Sequence, residues 1–388
     1  MNVKELRILV GGGAANCVAN GTWWLQPILM HQFISRQGLS DTAAGLVLTA
    51  EVTALAVASA LATRWLHRAG SLARLAAVGT LLFLVATVLT LQLHPGYGGL
   101  VLLRALAGLG AGLALTVGNR LGAMAADPDA MFAKFGFVNV LFGVVLLWAL
   151  QPLAALAGDA TSFLLLLLAA LAMLPLLGAI PAPPAAEATA TQQAAEVAPG
   201  ALRRIGLIAA ATFAVGLCSG VMWAYYAVIG EQAGLDNAAV ESAISAAIFA
   251  AGVATVLASA IGGRFGRAAP IAVGLAVMAG AVLVLSHHPN ATGFRIATCF
   301  NMAMIYFLLP YFLGAGSAED GGKGAAYVGS AFFLSGAASP VVGGLLVESA
   351  GIGIVGSGVA AVAVVVALLF VYLERRGAAA ALAPLAPH

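Results

Sequence analysis

Residues 181–204, PAPPAAEATATQQAAEVAPGALRR, form the only long run in the chain that hydrocarbon could not accommodate. Its prolines, threonines, glutamines and two glutamates favour a solvated linker over a packed element. It leaves 180 residues before it and 184 after it (388 minus 204), so the chain reads as two nearly equal halves on one tether. The expected division is 1–180, a linker at 181–204, and 205–388.

The halves repeat one another. Ser59-Ala-Leu-Ala-Thr-Arg64-Trp-Leu-His-Arg68 is answered by Ser259-Ala-Ile-Gly-Gly-Arg264-Phe-Gly-Arg267 at an offset of 200. Gln37-Gly38-Leu39-Ser40 is answered by Ala233-Gly234-Leu235-Asp236, Asn20 to Trp24 by Ser219 to Trp223, and Cys17 by Cys218. A repeat constrains architecture before any single residue is interpreted, and parallel halves of several spans each are a transporter pattern.

Hydrophobic residues make up 62% of the chain and charged residues 8%, with a mean hydropathy of +1.02. Those values exclude a soluble globular domain and indicate a multi-pass membrane protein. The net charge of +2 comes from basic residues scattered singly at the ends of apolar runs. No basic stripe suits nucleic acid. Cys17, Cys218 and Cys299 lie inside apolar runs without metal-ligand spacing, so they are expected as packing residues. The N-terminal apolar run is too long for a signal-peptide core and reads as a first span.

A crossing helix needs roughly 20 apolar residues. That ruler places spans near 6–31, 41–64, 72–93, 98–122, 132–157, 161–180, 205–231, 237–261, 269–287, 291–316, 325–348 and 352–373. The expectation is an all-α integral membrane protein with twelve transmembrane helices arranged as two pseudo-symmetric six-helix bundles. With the N-terminus inside, Lys4, Arg7, Arg64, Arg68, Arg74, Arg120, Lys134, Arg203, Arg204, Arg264, Arg267, Lys323, Arg375 and Arg376 all fall on the cytoplasmic side. Arg36 alone falls outside, while Arg104 and Arg295 lie within spans. Cytoplasmic loops hold the basic excess, so both termini and the linker are expected in the cytoplasm of a cell with this protein in its inner (plasma) membrane.

Polar groups inside hydrocarbon must face protein or water. The third, sixth, ninth and twelfth spans carry almost none and are expected to face lipid. The other eight carry Asn16, Asn20, Glu51, Arg104, Asn119, Asn139, Ser219, Tyr226, Ser245, Arg295 and Asn301. They are expected to surround something polar. Asn16, Asn20 and Trp24 share one helical face, as do Ser219, Trp223 and Tyr226. Such polar-aromatic stripes suit a cavity that grips a small organic molecule, with interfacial tryptophans as the alternative.

Glu51 falls about ten residues into its span, near the middle of the core. Burial favours its neutral form and a neighbouring arginine the charged one, so it is a candidate proton carrier. A structural ion pair with Arg104 is the other reading. A guanidinium costs about 2.5 to 3.5 kcal/mol at mid-membrane, so Arg104 either binds an anion or snorkels to the nearer interface. Arg295, closer to its helix end, fits snorkelling better. Glu241, in the first turn of its helix, suits the helix dipole.

Gly263-Arg264-Phe-Gly266-Arg267, with its degraded copy around Arg64 and Arg68, resembles the loop motif of the major facilitator superfamily of secondary transporters. Leu103-Arg104-Ala-Leu-Ala-Gly108-Leu-Gly110-Ala-Gly112 is similar to that family's fourth-helix motif. The resemblance covers essentially the whole chain, although Thr63 and Gly263 stand where the family's loop has an aspartate. It implies alternating access to a central cavity, with Arg64, Arg68, Arg264, Gly266 and Arg267 at a cytoplasmic gate.

The family's glycine-proline antiporter run is missing from the fifth span, and no phosphate loop, zinc motif or serine elbow occurs anywhere. No enzyme chemistry, cofactor, metal or nucleic-acid partner is therefore expected. The expected function is proton-coupled symport of a small organic anion by a monomer in the lipid bilayer. Glu51 would carry the proton, and Arg104, Asn20, Trp24, Asn139, Trp223, Tyr226 and Arg295 would hold substrate. Proton-driven efflux of a lipophilic compound is the alternative within the class, and a membrane-embedded enzyme or lipid-handling protein is the rival outside it.

The orientation has a direct check. In a cysteine-free background, a single cysteine at Gly38 should react with an impermeant maleimide in intact cells, while one at Gln193 should react only after the membrane is opened. The reverse pattern would invert the topology.

Overall fold

The computed structural model describes residues 2–65, 71–93, 95–125, 128–181, 199–262, 264–319 and 323–382. Among them the chain is helical throughout: α1 Val3–Ser35, α2 Asp41–Trp65, α3 Leu72–Leu93, α4 Tyr97–Ala123, α5 Pro128–Ala157, α6 Thr161–Met173, α7 Pro199–Gln232, α8 Asn237–Ile261, α9 Ala268–Ser286, α10 Ala291–Ser317, α11 Lys323–Ala350 and α12 Gly353–Leu382. Short 3-10 turns, Gly158–Ala160 and Leu174–Ala179, flank α6. The described β pairing is one isolated bridge between Arg264 and Gly266, in the turn between α8 and α9. Because α7 starts at Pro199, Arg203 and Arg204 are helical and the tether is shorter at its C-terminal end than composition suggests.

Among the described residues, ten stretches are long and apolar enough to cross a membrane. One of them, Lys134–Ala179, runs through both α5 and α6, and α1 is not among the ten. The physical reason lies in α1 itself. Asn16, Asn20, three consecutive glycines at 11–13 and the weakly apolar Trp23 and Trp24 dilute its aliphatic content.

The repeat seen in sequence is present in the backbone. The α1–α2 turn places Gly38 at φ 64° and the α7–α8 turn places Gly234 at φ 79°, a left-handed conformation that a residue with a Cβ resists. One step further on, Ser40 Oγ accepts from the N–H of Ala43 and Asp236 Oδ1 from that of Ala239, so equivalent positions cap α2 and α8.

Packing repeats as well. α1 packs with α4 and α5, α2 and α3 with α4, and α3 and α5 with α6. Six helices later α7 packs with α10 and α11, α8 and α9 with α10, and α9 and α11 with α12. Contacts between the first six helices and the last six run mainly through α2 with α11, α5 with α8 and α1 with α7. Large apolar side chains are exposed along α3, α6, α9 and α12, as expected of lipid-facing helices, but also on α5 and α8, where Phe137, Trp148 and Phe249 are mostly exposed. The eight polar helices thus also turn apolar flanks outward.

Glycine decides how closely α4 sits. A Cβ on Gly108 would fall on the carbonyl oxygen of Glu51, and one on Gly112 on that of Leu55, both in α2. On its next face, Gly110 meets the backbone of Gly79 in α3. This close approach, driven by small residues, is how helices associate where the lipid offers no hydrophobic contrast. Gly112→Val should therefore cost about 1 to 3 kcal/mol through overpacking and lower the melting temperature of the detergent-solubilised protein. Gly136→Ala, with open space around its Cβ, should leave it unchanged. Equal melting temperatures for the two variants would refute the close-packing account.

Candidate functional site

Two polar constellations stand out, and α1 touches both. The first is a buried ion pair. Glu51 of α2 and Arg104 of α4 are 2% and 0% exposed, with Arg104 Nε 3.7 Å from Glu51 Oε2. Thr22 of α1 donates its hydroxyl to Glu51 Oε1 at 2.7 Å. Arg104 Nη2 donates to Thr87 Oγ1 of α3 at 3.3 Å, and the Thr87 hydroxyl in turn donates to the carbonyl of Phe83. The guanidinium carbon lies 5.9 Å from the Phe83 ring centroid and 5.3 Å from that of Phe163 in α6, which adds cation–π attraction.

Five helices thus converge on one charge pair, and the pair is incompletely satisfied. Glu51 Oε2 and Arg104 Nε and Nη1 have no hydrogen-bond partner among the described residues. At 3.7 Å the two groups attract without a hydrogen bond between them. Such a pair is strongly destabilising to break from one side only, because a lone charge would then remain buried.

The second constellation is an aromatic crevice where α1, α7, α10 and α11 meet. Trp23, Ser219, Trp223, Tyr306, Phe332 and Ser335 line it together with Met302, Ile305 and the glycines at 216, 220 and 336. No charged side chain lines it among the described residues. The Trp23 ring lies against Gly336, where a Cβ would come within 2.9 Å of it. Trp23 also hydrogen-bonds the Tyr306 hydroxyl, and its carbonyl accepts from Trp223 Nε1 at 3.2 Å. The open space is only about 20 Å³, room for roughly one water. An organic molecule enters only when these helices part.

The residues singled out by sequence divide between these places. Trp223 lines the crevice. Trp24 sits behind it, donating Nε1 to Asn139 Oδ1 at 3.0 Å, packing against Gly143 of α5 and meeting Trp223 edge-on at 6.3 Å. Tyr226 is buried between α7 and α10, donating to the Thr298 carbonyl and accepting from Asn301 Nδ2. Asn20 donates to the carbonyl of Asn16 on its own helix. Arg295 is exposed near the start of α10. Arg264 and Arg267 are exposed in the α8–α9 turn, where Gly266 adopts φ 69°. Arg68 and the side chain of Arg64 lie outside the described residues.

Sequence reasoning missed Thr22, Thr87, Phe83 and Phe163 around the pair, and Trp23, Tyr306, Phe332 and Ser335 around the crevice. For Trp23 a signal existed. The tandem Trp23-Trp24 points its two rings about 100° apart on a helix, so only one of them can share the face of Asn16 and Asn20.

By sequence, no curated protein matches the chain significantly. By structure, it resembles the nucleoside transporter NupG, with 14% identity, a TM-score of 0.69, and 96% of this chain and 99% of that chain covered. A POT family transporter in complex with 5-aminolevulinic acid gives 12% identity and a TM-score of 0.74 over 95% of this chain and 96% of that one. A D-xylose-proton symporter gives 18% identity and a TM-score of 0.67 over 94% and 95%. The family model of the Major Facilitator Superfamily matches residues 13–318. The chain belongs to the major facilitator superfamily and is a membrane transporter, not an enzyme.

Proposed function

We propose that the chain is a proton-coupled symporter of a small, uncharged, ring-bearing organic molecule. All twelve helices would cross the plasma membrane as two six-helix bundles, 1–180 and 205–388, with both termini and the tether in the cytoplasm and a monomer as the working unit. The observation that carries the reading is the separation of charge from cavity. Among the described residues the crevice offers flat aromatic faces and two serine hydroxyls but no cation, while the buried carboxylate–guanidinium pair lies apart from it in α2 and α4. Flat rings and hydroxyl-bearing solutes suit such a lining. That one structural neighbour is a D-xylose-proton symporter is in keeping with this chemistry.

The organic-anion reading relied on Arg104 facing substrate. Its guanidinium instead faces Glu51, Thr87, Phe83 and Phe163. Within the proposal, Glu51 and Arg104 serve coupling. Protonation of Glu51 removes the Coulomb attraction to Arg104 and loosens α2 from α4. Thr22, bonded to Glu51, passes that change to α1, whose next residue forms part of the crevice wall. Tyr226, Asn139 and Trp24 support the wall from behind, and Arg264 and Arg267 stay at the cytoplasmic face.

A thermal-shift panel of nucleosides, pentoses and organic anions should show stabilisation by members of the uncharged set. Trp23→Ala should weaken the best binder about tenfold, whereas Trp148→Ala, on the exposed face of α5, should not. In proteoliposomes Glu51→Gln should abolish accumulation driven by a pH gradient while sparing exchange. Arg104→Ala alone should cost about 3 to 5 kcal/mol of stability, most of it restored when Glu51→Gln is combined with Arg104→Met. Stabilisation by anions only, lost in the folded double variant, would restore the anion reading and overturn this one.

A further inference from the structure

Three of the polar contacts between the first six helices and the last six lie where α1 turns into α2. His31 Nε2 of α1 lies 2.7 Å from Glu231 Oε2 of α7. The Tyr225 hydroxyl donates to Asp41 Oδ1 at 2.9 Å, and the backbone N–H of Thr42 to Glu348 Oε2 of α11 at 3.1 Å. Here α2 and α11 touch backbone to backbone, for a Cβ on Gly344 would fall on the carbonyl of Asp41.

His31 lies four residues before the end of α1 and Glu231 one residue before the end of α7, so the contact joins the last turns of the two helices and exists only while those ends are together. The geometry points to the His31–Glu231 contact as a proton-operated latch that holds the α1–α2 end of the transporter shut.

Histidine is the side chain whose charge changes near neutrality. A neutral imidazole offers Glu231 one ordinary hydrogen bond, whereas an imidazolium offers a charge-assisted one that is roughly twice as strong. Closure of this end is therefore favoured in acid and weakened as the proton leaves. His31 is 18% exposed on its side chain and Glu231 62%, so the proton exchanges directly with the solvent on that side.

Of the other titratable groups at this end, His287 and His288, after α9, line a cavity with Tyr225 and Gln232, while the acids are held elsewhere. Asp41 of α2 is held by Tyr225, and Glu348 of α11 by Thr42. Asp159, after α5, pairs with Arg36 at 3.5 Å, while its carbonyl accepts from Gln32. His31 and Glu231 join α1 to α7. The latch differs from the Glu51–Arg104 pair, which lies wholly within the first four helices. Its consequence rests on the transporter reading. If that end faces outside, external acid drives the step that closes the outer side, as import with protons requires.

The test needs no substrate, so its failure is separable from failure of the proposed function. Spin labels at Gln37, in the α1–α2 turn, and Asn237, the first residue of α8, both exposed and just beyond the latch, would be introduced in a variant with Cys17, Cys218 and Cys299 replaced by alanine. Pulsed EPR distances in nanodiscs would be compared at about pH 5.5 and about pH 8.5, on either side of the histidine range.

The parent should show one short distance in acid and a long-distance population that grows about threefold or more in base. His31→Lys should stay short at both values. His31→Gln and Glu231→Gln should each give one distribution at both, and Glu51→Gln should keep the parent's response. A parent that ignores pH, or a pH response surviving in His31→Gln or Glu231→Gln, would overturn the latch. Loss of the response in Glu51→Gln would also overturn it, assigning the sensing to the buried pair.

Discussion

The arrangement of the first six helices depends on one electrostatic requirement. A glutamate and an arginine have been taken out of water together, and neither can be left alone there. Glu51 and Arg104 are close enough to compensate one another only because α2 and α4 approach until glycine faces backbone, with Gly108 set directly against the Glu51 carbonyl. The glycines and the charges are therefore one feature. Without Gly108 and Gly112 the helices would stand further apart, and the pair would become two unpaired ions in a low-dielectric interior. Thr22, Thr87, Phe83 and Phe163 then fill the shell around the pair from α1, α3 and α6.

From this pair the argument passes to α1, where three consecutive residues point to three partners. Thr22 bonds Glu51 in α2. Trp23 lies on Gly336 of α11 and lines the crevice. Trp24 bonds Asn139 in α5. With about 100° between successive side chains, one turn of helix connects the charge pair, the crevice and the wall behind it. Further along the same helix, His31 meets α7. A rotation or tilt of α1 is thus felt at all four places, because close-packed interfaces switch between discrete arrangements rather than deform smoothly.

Much of this was legible in the chain. The helical class and the repeat followed from composition and self-similarity, and the repeat extends to the left-handed glycines at 38 and 234 and to the caps at Ser40 and Asp236; most of the expected linker lies outside the described residues. The meeting of Glu51 and Arg104 was legible only as one option, because a ruler along each helix sets them at different depths. The length of an arginine side chain covers that difference. Spacing misled at the polar stripe of α1. Asn16, Asn20 and Trp24 do share a face, but that face packs on neighbouring helices, with Asn16 against Gly118 of α4 and Trp24 against Gly143 of α5. In a membrane, polar residues serve helix–helix packing as readily as they serve a cavity, and periodicity does not distinguish the two. Hydropathy, likewise, passes over α1 because a helix enclosed by others need not be greasy.

In the proposed proton-coupled cycle, the separation of the ion pair from the crevice constrains how coupling would work. Where a carboxylate lines a binding site, proton and substrate can compete for it directly, and coupling needs no motion. Here the crevice lining is uncharged and the carboxylate is enclosed by α1, α2, α3, α4 and α6. The two ligands can affect one another only through an element that both bias, which is the general condition for linkage between distinct sites. α1 meets that condition through adjacent residues, Thr22 and Trp23. A shift of α1 that lengthened the Thr22–Glu51 bond would alter the stability of the charged carboxylate and, in the same movement, the position of the Trp23 ring over Gly336. The coupling free energy is then set by how stiffly one helical turn transmits that shift. Pro27 lies just beyond it, between the turn of α1 that carries Thr22 and the turn that carries His31, and the helix runs continuously through it, so the same shift reaches the contact with α7.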